Sequence, residues 1–275
     1  MDGEIKMISV NGEKIQFKTF NDGSFRAKYN VNDYYSTSHI LWLYDSELEA
    51  LMLWYLVKHI HEHNPDGLID LSVPYIPNGR LDRVAHENEI FTLKYFADML
   101  NSLPLHHVMA FDAHSHVSEA LINRLTIETP EVDLRMLGYM HPNCVYAFPD
   151  AGSEKRYAPM INGPVVFGVK HRDWDSQEIT GLTMFGDTSL IKGQDIIVCD
   201  DIVSRGSTLY GCCKQLKEMG ANNIYVWISH TEDTVLQPHI EGKSLLDYDL
   251  ITKLYTTNSI YRGNHSKIEV IHEFK

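Results

Sequence analysis

The sequence predicts an α/β protein built from two halves, each with a doubly wound and mainly parallel sheet. Short apolar runs rich in Val, Ile and aromatic residues recur along the chain, and a segment of helical periodicity follows most of them. This alternation is typical of βαβ units. With 275 residues and 44% hydrophobic residues, the chain is long and apolar enough to bury two medium cores or one large core.

The first half has three predicted strands and two predicted helices. The strands lie near Ile40 to Tyr44, Ile69 to Tyr75 and His107 to Asp112, and the helices near Ser46 to His63 and Asn88 to Asn101.

The second half repeats the pattern. Its strands are predicted near Val145 to Phe148, Val165 to Val169, Ile196 to Asp200 and Ile224 to Ser229, with the clearest helix at Ser207 to Met219. The segment GYMHPN, Gly138 to Asn143, carries Gly, Pro and Asn and is the expected boundary. We therefore expect domains at 1–138, joined by the tail 260–275, and at 139–259.

Composition excludes several classes of function. A formal net charge of -13 disfavours nucleic acid as a partner, because such binding needs many Lys and Arg residues against phosphates. The four cysteines lack the paired spacing of a zinc site or a disulfide framework, so we expect buried free thiols. The polar N-terminus and the lack of a run of about 18 apolar residues predict a soluble, cytoplasmic protein without a membrane partner.

Ligands of open parallel sheets bind beyond the carboxyl ends of the strands, so the residues that follow each apolar run are the candidates. In the first half these residues include Arg80, Asp82, Asp112 and His114. In the second half they include Asp150, Lys170, Arg172, Asp200, Asp201 and the loop Ser204 to Thr208.

The strongest motif is IIVCDDIVSRGSTLYGCCKQLKEMGA, a strand that ends in Asp200 and Asp201 and leads through a loop of small residues into a helix. The backbone N–H groups of Arg205, Gly206, Ser207 and Thr208, with the hydroxyls of Ser204, Ser207 and Thr208, suit an anion. The two carboxylates can hold ribose hydroxyls, so the motif indicates a sugar-phosphate site. A helix-capping turn is the alternative interpretation of the Asp pair.

Two first-half residues have a functional and a structural interpretation. His114 follows a strand, two residues beyond Asp112, which favours a metal ligand over a structural histidine, and a metal pair with His116 stays open. Arg80 follows PYIPNG at a strand end, where it suits a triphosphate better than it suits a plain surface charge.

Six segments together resemble one family. VCDDIVSRGSTL resembles the phosphoribosyl pyrophosphate loop that phosphoribosyltransferases share with ribose-phosphate pyrophosphokinases. VPYIPNGRLDR, MAFDAHSH, FNDGSF, FPDAGSEKR and VKHRD resemble further segments of the pyrophosphokinases, in order along nearly the whole chain. The chain thus resembles a short, divergent ribose-phosphate pyrophosphokinase.

The resemblance implies two phosphoribosyltransferase-like domains and a set of roles. ATP would be bound by Phe20, Asp22, Arg80, Asp82 and His114, and the sugar phosphate by Asp200, Asp201, Ser204, Arg205, Gly206, Ser207 and Thr208. Mg²⁺ would be held by His114 and Asp150, and Lys170 and Arg172 would be catalytic cations on a mobile loop, with a solvated hairpin as the alternative. The implied reaction moves the β,γ-pyrophosphoryl group of Mg-ATP to the anomeric hydroxyl of ribose 5-phosphate, without a covalent intermediate.

Departures from the family pattern keep other interpretations open. Ser24 stands where the family usually has Glu, Leu81 where it has Gln, and Ser204-Arg205 where it has Asp-Thr. The gained cation suggests a larger acceptor such as ADP-ribose, while a phosphoribosyltransferase and a non-catalytic regulatory relative are further alternatives. Because the adenine loop of the family completes a site across a subunit interface, a homo-oligomer, a dimer or a multiple of dimers, is expected.

Overall fold

The computed structural model describes residues 7–31, 36–172 and 179–275, and the side chains of these residues other than those of 170–181. The chain forms two compact units. The first contains residues 1–128 with 274–275, and the second contains residues 129–273.

The first unit is built on a six-stranded sheet. Its strands and the strands of a separate hairpin are β1 (Ile8–Val10), β2 (Glu13–Lys14), β3 (Gln16–Thr19), β4 (Phe25–Lys28), β5 (Thr37–Trp42), β6 (Leu68–Ser72), β7 (His107–Phe111) and β8 (Leu125–Glu128). The helices are α1 (Glu47–His63), α2 (Thr92–Asn101) and α3 (Val117–Leu121). The sheet order is β2-β1-β5-β6-β7-β8, with β5 to β8 parallel and β1 antiparallel to both neighbours, while β3 and β4 pair with each other.

A buried carboxylate links the first helix to this sheet. Glu49 of α1 is fully buried, and its Oε2 accepts hydrogen bonds from Trp42 Nε1 at 3.0 Å and from the Asp45 backbone N–H at 2.8 Å. Burial raises the pKa of Glu49 above its usual range. The apolar face of α1, which includes Met52 and Leu53, is buried in the same core, so α1 is fixed against β5.

The second unit is built on a seven-stranded sheet. Its strands are β9 (Val145–Phe148), β10 (Val165–Arg172), β11 (Ile179–Gly186), β12 (Ile196–Val203), β13 (Ile224–Thr231), β14 (Lys253–Thr257) and β15 (Ile268–His272). The helices are α4 (Glu131–Met140), α5 (Ala151–Tyr157) and α6 (Ser207–Glu218). The order is β11-β10-β9-β12-β13-β14-β15, parallel except for the antiparallel pair of β10 and β11. Strand β12 lies at the centre, where its first four residues are buried.

The predicted strands and helices are present, with shifted ends at several places. The helix expected from Asn88 begins at Thr92, and the strand expected to end at Asp200 continues to Val203. The strands β1 to β4, β8, β11, β14 and β15 were not predicted, because most are short or lie at sheet edges and carry weak apolar patterns.

The structure divides the chain upstream of the expected boundary at Gly138. Residues of GYMHPN belong partly to α4, and α4 is held in the second unit. Tyr146 of β9 donates to the Leu134 carbonyl at 3.4 Å, and His272 of β15 pairs with Asp133 at 2.9 Å. The tail differs from expectation as well, because β15 pairs with β14 and only Phe274 and Lys275 belong to the first unit.

None of the helices in the described residues is both long enough and apolar enough to cross a membrane. All four cysteines, Cys144, Cys199, Cys212 and Cys213, are buried free thiols, as the sequence predicted.

Candidate functional site

The turn from β12 into α6 forms the wall of a cavity in the second unit. Gly206 has a φ of +83°, in the left-handed region that glycine adopts readily. A Cβ at this position would lie 2.7 Å from Leu245 Cδ2, so space and conformation both require glycine. Because Gly206 turns the chain directly into α6, the first N–H groups of the helix remain available to an anion.

The cavity has a volume of about 280 Å³. It is lined by the end of β12, the loop, the start of α6 and Ile228 of the neighbouring strand β13: Asp200, Ile202, Val203, Ser204, Arg205, Gly206, Ser207, Thr208, Leu209 and Ile228. All the sugar-phosphate residues predicted from the sequence line it except Asp201, which is buried.

A serine joins the acidic residues of two elements. Asp150 caps α5 and accepts hydrogen bonds from the Gly152 and Ser153 N–H groups, each at 3.1 Å. Ser153 Oγ lies 2.8 Å from Asp200 Oδ1 and 3.2 Å from Asp150 Oδ1. The structure therefore brings Asp150 and Asp200 together through Ser153, a residue for which the sequence predicted no role.

Asp201 has a cationic neighbour. Asp201 is 7% exposed, and Arg156 Nη1 lies 3.6 Å from Asp201 Oδ2. Arg156 also lies over the ring of Tyr157, with 5.9 Å between the guanidinium carbon and the ring centroid. Arg156 ends the segment FPDAGSEKR, but the sequence did not assign it this partner, since the two residues are far apart along the chain.

The acidic cluster changes how Asp200 titrates. Burial, followed by the charges of Asp201 and Asp150, raises the pKa of Asp200 to about 7 although the Ser153 hydroxyl opposes the shift. Near neutral pH this carboxyl is therefore balanced between its charged and neutral forms. A cation or a set of sugar hydroxyls at Asp200 would favour the charged form.

The acidic cluster offers oxygen ligands for a divalent metal. The described residues contain no group of three or more His, Cys, Asp or Glu side chains arranged around a metal position. Mg²⁺ does not require such a group, because it usually binds through one or two carboxylates with water and substrate phosphates. Asp150, one of the two predicted metal ligands, and Asp200 supply carboxylates that fit that pattern. The second predicted ligand, His114, belongs to the first unit.

In the first unit, two predicted ATP-binding segments leave the same edge of the sheet. Strands β6 and β7 are parallel neighbours, and their pairing continues through Val73 N–H to the Met109 carbonyl and Phe111 N–H to the Pro74 carbonyl. The segments that carry Arg80 with Asp82 and His114 follow this point. Arg80 and His114 are exposed, and Asp82 is half-buried.

Asp112 makes the turn at the end of β7. It is buried and has a φ of 43°, in the left-handed region. Its N–H donates to the Glu128 carbonyl of β8 at 2.8 Å. This bond fixes the point from which the chain continues to His114.

Phe20 and Asp22 lie in the turn of the β3–β4 hairpin, which forms its own two-stranded sheet. Asp22 Oδ1 accepts from the N–H of Ser24 at 3.0 Å and from its hydroxyl at 2.7 Å, which lowers the pKa of Asp22. The side chain of Phe20 is 47% exposed. Ser24, one of the residues that depart from the family pattern, therefore holds Asp22 in place.

Lys170 and Arg172 lie at the end of β10, which pairs with β11 as an antiparallel hairpin. The side chains of both residues, and the whole of 173–178, lie outside the described residues, so the catalytic role of the two cations stays a prediction.

Comparison with known proteins identifies relatives for the chain. The phosphoribosyl transferase domain family matches residues 162–241, which include β12, the loop and α6. A ribose-phosphate pyrophosphokinase of Helicobacter hepaticus is 26% identical over 237 residues, which cover 82% of this chain and 72% of that protein. The chain is a homologue of the ribose-phosphate pyrophosphokinases. The resemblance inferred from the motifs is thereby confirmed.

Other relatives of this pyrophosphokinase homologue match a smaller share of their own length. Ribose-phosphate pyrophosphokinase 3 of Oryza sativa is 27% identical over 58% of the chain and 41% of the rice protein. Ribose-phosphate pyrophosphokinase 2 of Schizosaccharomyces pombe is 24% identical over 74% of the chain and 64% of the yeast protein. The chain thus spans less than two thirds of these two relatives.

The fold of the homologue is also that of a solved synthetase. The phosphoribosylpyrophosphate synthetase of Mycobacterium smegmatis superposes with a TM-score of 0.76 at 17% identity, covering 94% of this chain and 85% of that one. The predicted fold class, α/β with two phosphoribosyltransferase-like domains and mainly parallel sheets, is confirmed by this match and by the family match.

Proposed function

We propose that the chain transfers the β,γ-pyrophosphoryl group of Mg-ATP to the anomeric hydroxyl of ribose 5-phosphate, giving phosphoribosyl pyrophosphate and AMP. The observation that carries the proposal is the cavity at the β12–α6 turn, where Asp200 and the N-terminus of α6 line one space. Relatives named as ribose-phosphate pyrophosphokinases support the pyrophosphoryl donor.

The two ends of the cavity suit the two ends of a sugar phosphate. The N–H groups at the start of α6 and the hydroxyls of Ser207 and Thr208 attract a phosphate, since the helix dipole favours negative charge there. Asp200 accepts hydrogen bonds from ribose hydroxyls at the strand end, and Arg156 balances the charge of the neighbouring Asp201.

In the proposed reaction the first unit binds ATP. Arg80 contacts the phosphates, Phe20 and Asp22 contact the base, and Asp82 and His114 complete the nucleotide site. Mg²⁺ would be held by His114 and Asp150 and would neutralise phosphate charge when bound. Lys170 and Arg172 would stabilise the charge that develops during transfer.

The sugar hydroxyl attacks the β-phosphorus directly in this proposal. Cys199 and Ser204 are candidate nucleophiles, but their surroundings favour other roles. Cys199 is fully buried in β12, and the hydroxyl of Ser204 lies 3.1 Å from that of Thr234. A thiol inside the core and a hydroxyl held by a threonine suit structural roles better than attack on a phosphorus atom, so a covalent intermediate is not proposed.

Arg205 supports a second candidate acceptor. Its side chain is exposed, and the residue lines the cavity. A guanidinium at this place can pair with an additional phosphate, so we propose ADP-ribose as the alternative to ribose 5-phosphate.

A homo-oligomer, a dimer or a multiple of dimers, is also proposed. The exposed side chain of Phe20 on the β3–β4 hairpin supports a base contact completed at a subunit interface. Analytical ultracentrifugation of the full chain, with and without ATP, tests the assembly.

The decisive experiment measures AMP formation from Mg-ATP with ribose 5-phosphate and with ADP-ribose, and identifies the product by mass. We expect AMP and a pyrophosphorylated sugar from the wild type, and a loss of at least a hundredfold for Asp200→Asn. Asp249→Asn, at an exposed acid of the same unit, is the matched control. Absence of AMP in this assay together with consumption of added phosphoribosyl pyrophosphate would favour a phosphoribosyltransferase, and ligand binding without turnover would favour a regulatory relative.

A further inference from the structure

Three hydrogen-bonded side chains connect the cavity to the carboxylate of Glu232. Ser204 Oγ lies 3.1 Å from Thr234 Oγ1, and Thr234 Oγ1 lies 3.0 Å from Glu232 Oε2. All three residues are half-buried, and Ser204 lines the cavity. We refer to Glu232, Thr234 and Ser204 as the hydroxyl relay.

The sheet sets the geometry of the hydroxyl relay. Strands β12 and β13 are parallel neighbours, and Val203 is paired with Thr231 at their carboxyl ends. The Glu232 N–H then donates to the Val203 carbonyl at 2.9 Å. Ser204 and Glu232 are therefore each one residue beyond a fixed contact, and a short helix, Asp233–Leu236, carries Thr234.

The relay has a direction, because a hydroxyl carries a single hydrogen. A carboxylate only accepts hydrogen bonds, so Thr234 donates its hydrogen to Glu232. At the contact between Ser204 and Thr234 the threonine oxygen must then accept, and Ser204 must donate. The hydrogen of Ser204 points away from the cavity, and the side chain offers only lone pairs to a ligand.

This direction changes the role expected of Ser204. The sequence suggested its hydroxyl as a donor to a phosphate, whereas the ionised oxygens of a phosphate carry no hydrogen to donate to the lone pairs of Ser204. Ser204 instead resembles Asp200, whose carboxylate also lines the cavity as an acceptor. The cavity therefore has acceptors at the strand end and N–H donors at the helix end.

We propose that Glu232 and Thr234 are positioning residues that orient Ser204 to accept a hydrogen bond from a sugar hydroxyl. The relay would thereby select a polyhydroxylated phosphate ester over a simple phosphate. This inference rests on the proposed sugar-phosphate site, and it assigns substrate selection to residues outside the predicted motif.

The test is direct binding of two probes to the full chain by calorimetry, ribose 5-phosphate and inorganic phosphate. Thr234→Val removes the acceptor that holds the Ser204 hydrogen while keeping the side-chain shape. We expect its Kd for ribose 5-phosphate to rise about fivefold to tenfold, the loss typical of one hydrogen bond, with the Kd for inorganic phosphate unchanged or lower. Thr234→Ser should restore wild-type binding.

Thr252→Val is the matched control, because Thr252 is an exposed threonine that precedes β14 at the opposite end of the sheet. It should bind both probes as the wild type does. Melting temperatures of all variants separate a loss of binding from a loss of folding.

Glu232→Gln tests the direction of the relay. A Gln amide can donate to Thr234, which would then donate to Ser204 and turn the Ser204 hydrogen toward the cavity. We expect affinity for inorganic phosphate to rise about twofold to fivefold in this variant and affinity for ribose 5-phosphate to fall.

Three results would overturn the inference. If folded Thr234→Val and Glu232→Gln bind ribose 5-phosphate like the wild type, the relay does not position Ser204. If Ser204→Ala weakens inorganic phosphate as strongly as ribose 5-phosphate, Ser204 is a phosphate donor. If the wild type binds neither probe, the proposed sugar-phosphate site itself fails, which distinguishes that failure from the failure of the relay.

Discussion

The hydroxyl of Ser153 and the carboxylate of Asp200 lie 2.8 Å apart and join the start of α5 to the end of β12. Ser153 also contacts Asp150, the residue that caps α5. The acidic cluster is therefore organised by a neutral hydroxyl, and the charge of Asp200 depends on that hydroxyl.

Ser153→Ala should shift the pH dependence of activity. The Ser153 hydroxyl lowers the pKa of Asp200, so its removal raises that pKa further above the ordinary value. Asp200 acts as a carboxylate in the proposed mechanism, so activity is lost when acidification protonates it. As the pH is lowered, the variant should therefore lose activity at a higher pH than the wild type does. The measurement is kcat/KM for the sugar phosphate from pH 6 to pH 9.

The matched control is Ser189→Ala, which removes a hydroxyl donor from the exposed residue Asp187. Its pH profile should coincide with that of the wild type. A Ser153→Ala profile that also coincides would show that Asp200 does not set the acidic limb.

Asp200→Asn should stabilise the protein at alkaline pH while it abolishes activity. The folded-state pKa of Asp200, about 7, is above its ordinary value of 3.8. The folded chain thus binds a proton at Asp200 more tightly than the unfolded chain does. Protonation of Asp200 therefore stabilises the folded state, fully below about pH 4, and this contribution is lost as pH rises through 7. At alkaline pH the wild-type protein must hold an ionised Asp200 in a buried site, which costs folding free energy. Asn stays neutral and does not have this cost.

Chemical denaturation without Mg²⁺ checks this expectation. The free energy of unfolding of Asp200→Asn should exceed that of the wild type by roughly 2 to 4 kcal/mol at pH 8, since a pKa unit corresponds to about 1.4 kcal/mol. The difference should shrink toward pH 4. An equal difference at both pH values would exclude the titration of Asp200 as its cause.

Gly206→Ala should destabilise the second unit and weaken sugar-phosphate binding. The substitution places a Cβ at a φ of +83° and 2.7 Å from Leu245 Cδ2. Backbone strain of this kind costs of the order of 1 to 3 kcal/mol, to which the steric clash adds. Thermal denaturation and ribose 5-phosphate titration measure the two effects.

Gly242→Ala separates the strain from the clash. Gly242 has a φ of +78°, but a Cβ there meets nothing within 4 Å. It should lower the free energy of unfolding less than Gly206→Ala does. Adding Leu245→Ala to Gly206→Ala removes the clash and should recover ribose 5-phosphate binding. Binding that stays weak in the double variant would show that the backbone strain alone displaces the loop.

Features formed by residues close together in the sequence were predicted, whereas contacts between residues far apart in the sequence were not. The motif from Ile196 to Ala221 predicted a strand, a loop and a helix, because their apolar patterns and the glycine turn are local signals. The relay from Ser204 to Glu232 and the contact from Ser153 to Asp200 were not predicted, because the sheet brings their elements together.

The predicted boundary shows the same limit. Gly138 and the following Pro and Asn suggested a linker, yet α4 includes Gly138 because the helix packs in the second unit. The side chain of Tyr146 reaches the Leu134 carbonyl of α4, a contact with no counterpart in the local pattern. Tertiary packing therefore makes this segment part of the helix α4, although its composition is typical of a linker.

Arg205→Ala should change the choice of acceptor without a loss of folding, because the Arg205 side chain is exposed on the loop that lines the cavity. A charge-assisted contact to an additional phosphate would make ADP-ribose depend on this guanidinium more than ribose 5-phosphate does. We expect the ratio of kcat/KM for ADP-ribose to kcat/KM for ribose 5-phosphate to fall about tenfold. Arg205→Lys keeps the charge but not the planar fork, so its ratio should be intermediate. A ratio that is the same in all three proteins would remove the basis for the larger acceptor and leave ribose 5-phosphate as the substrate.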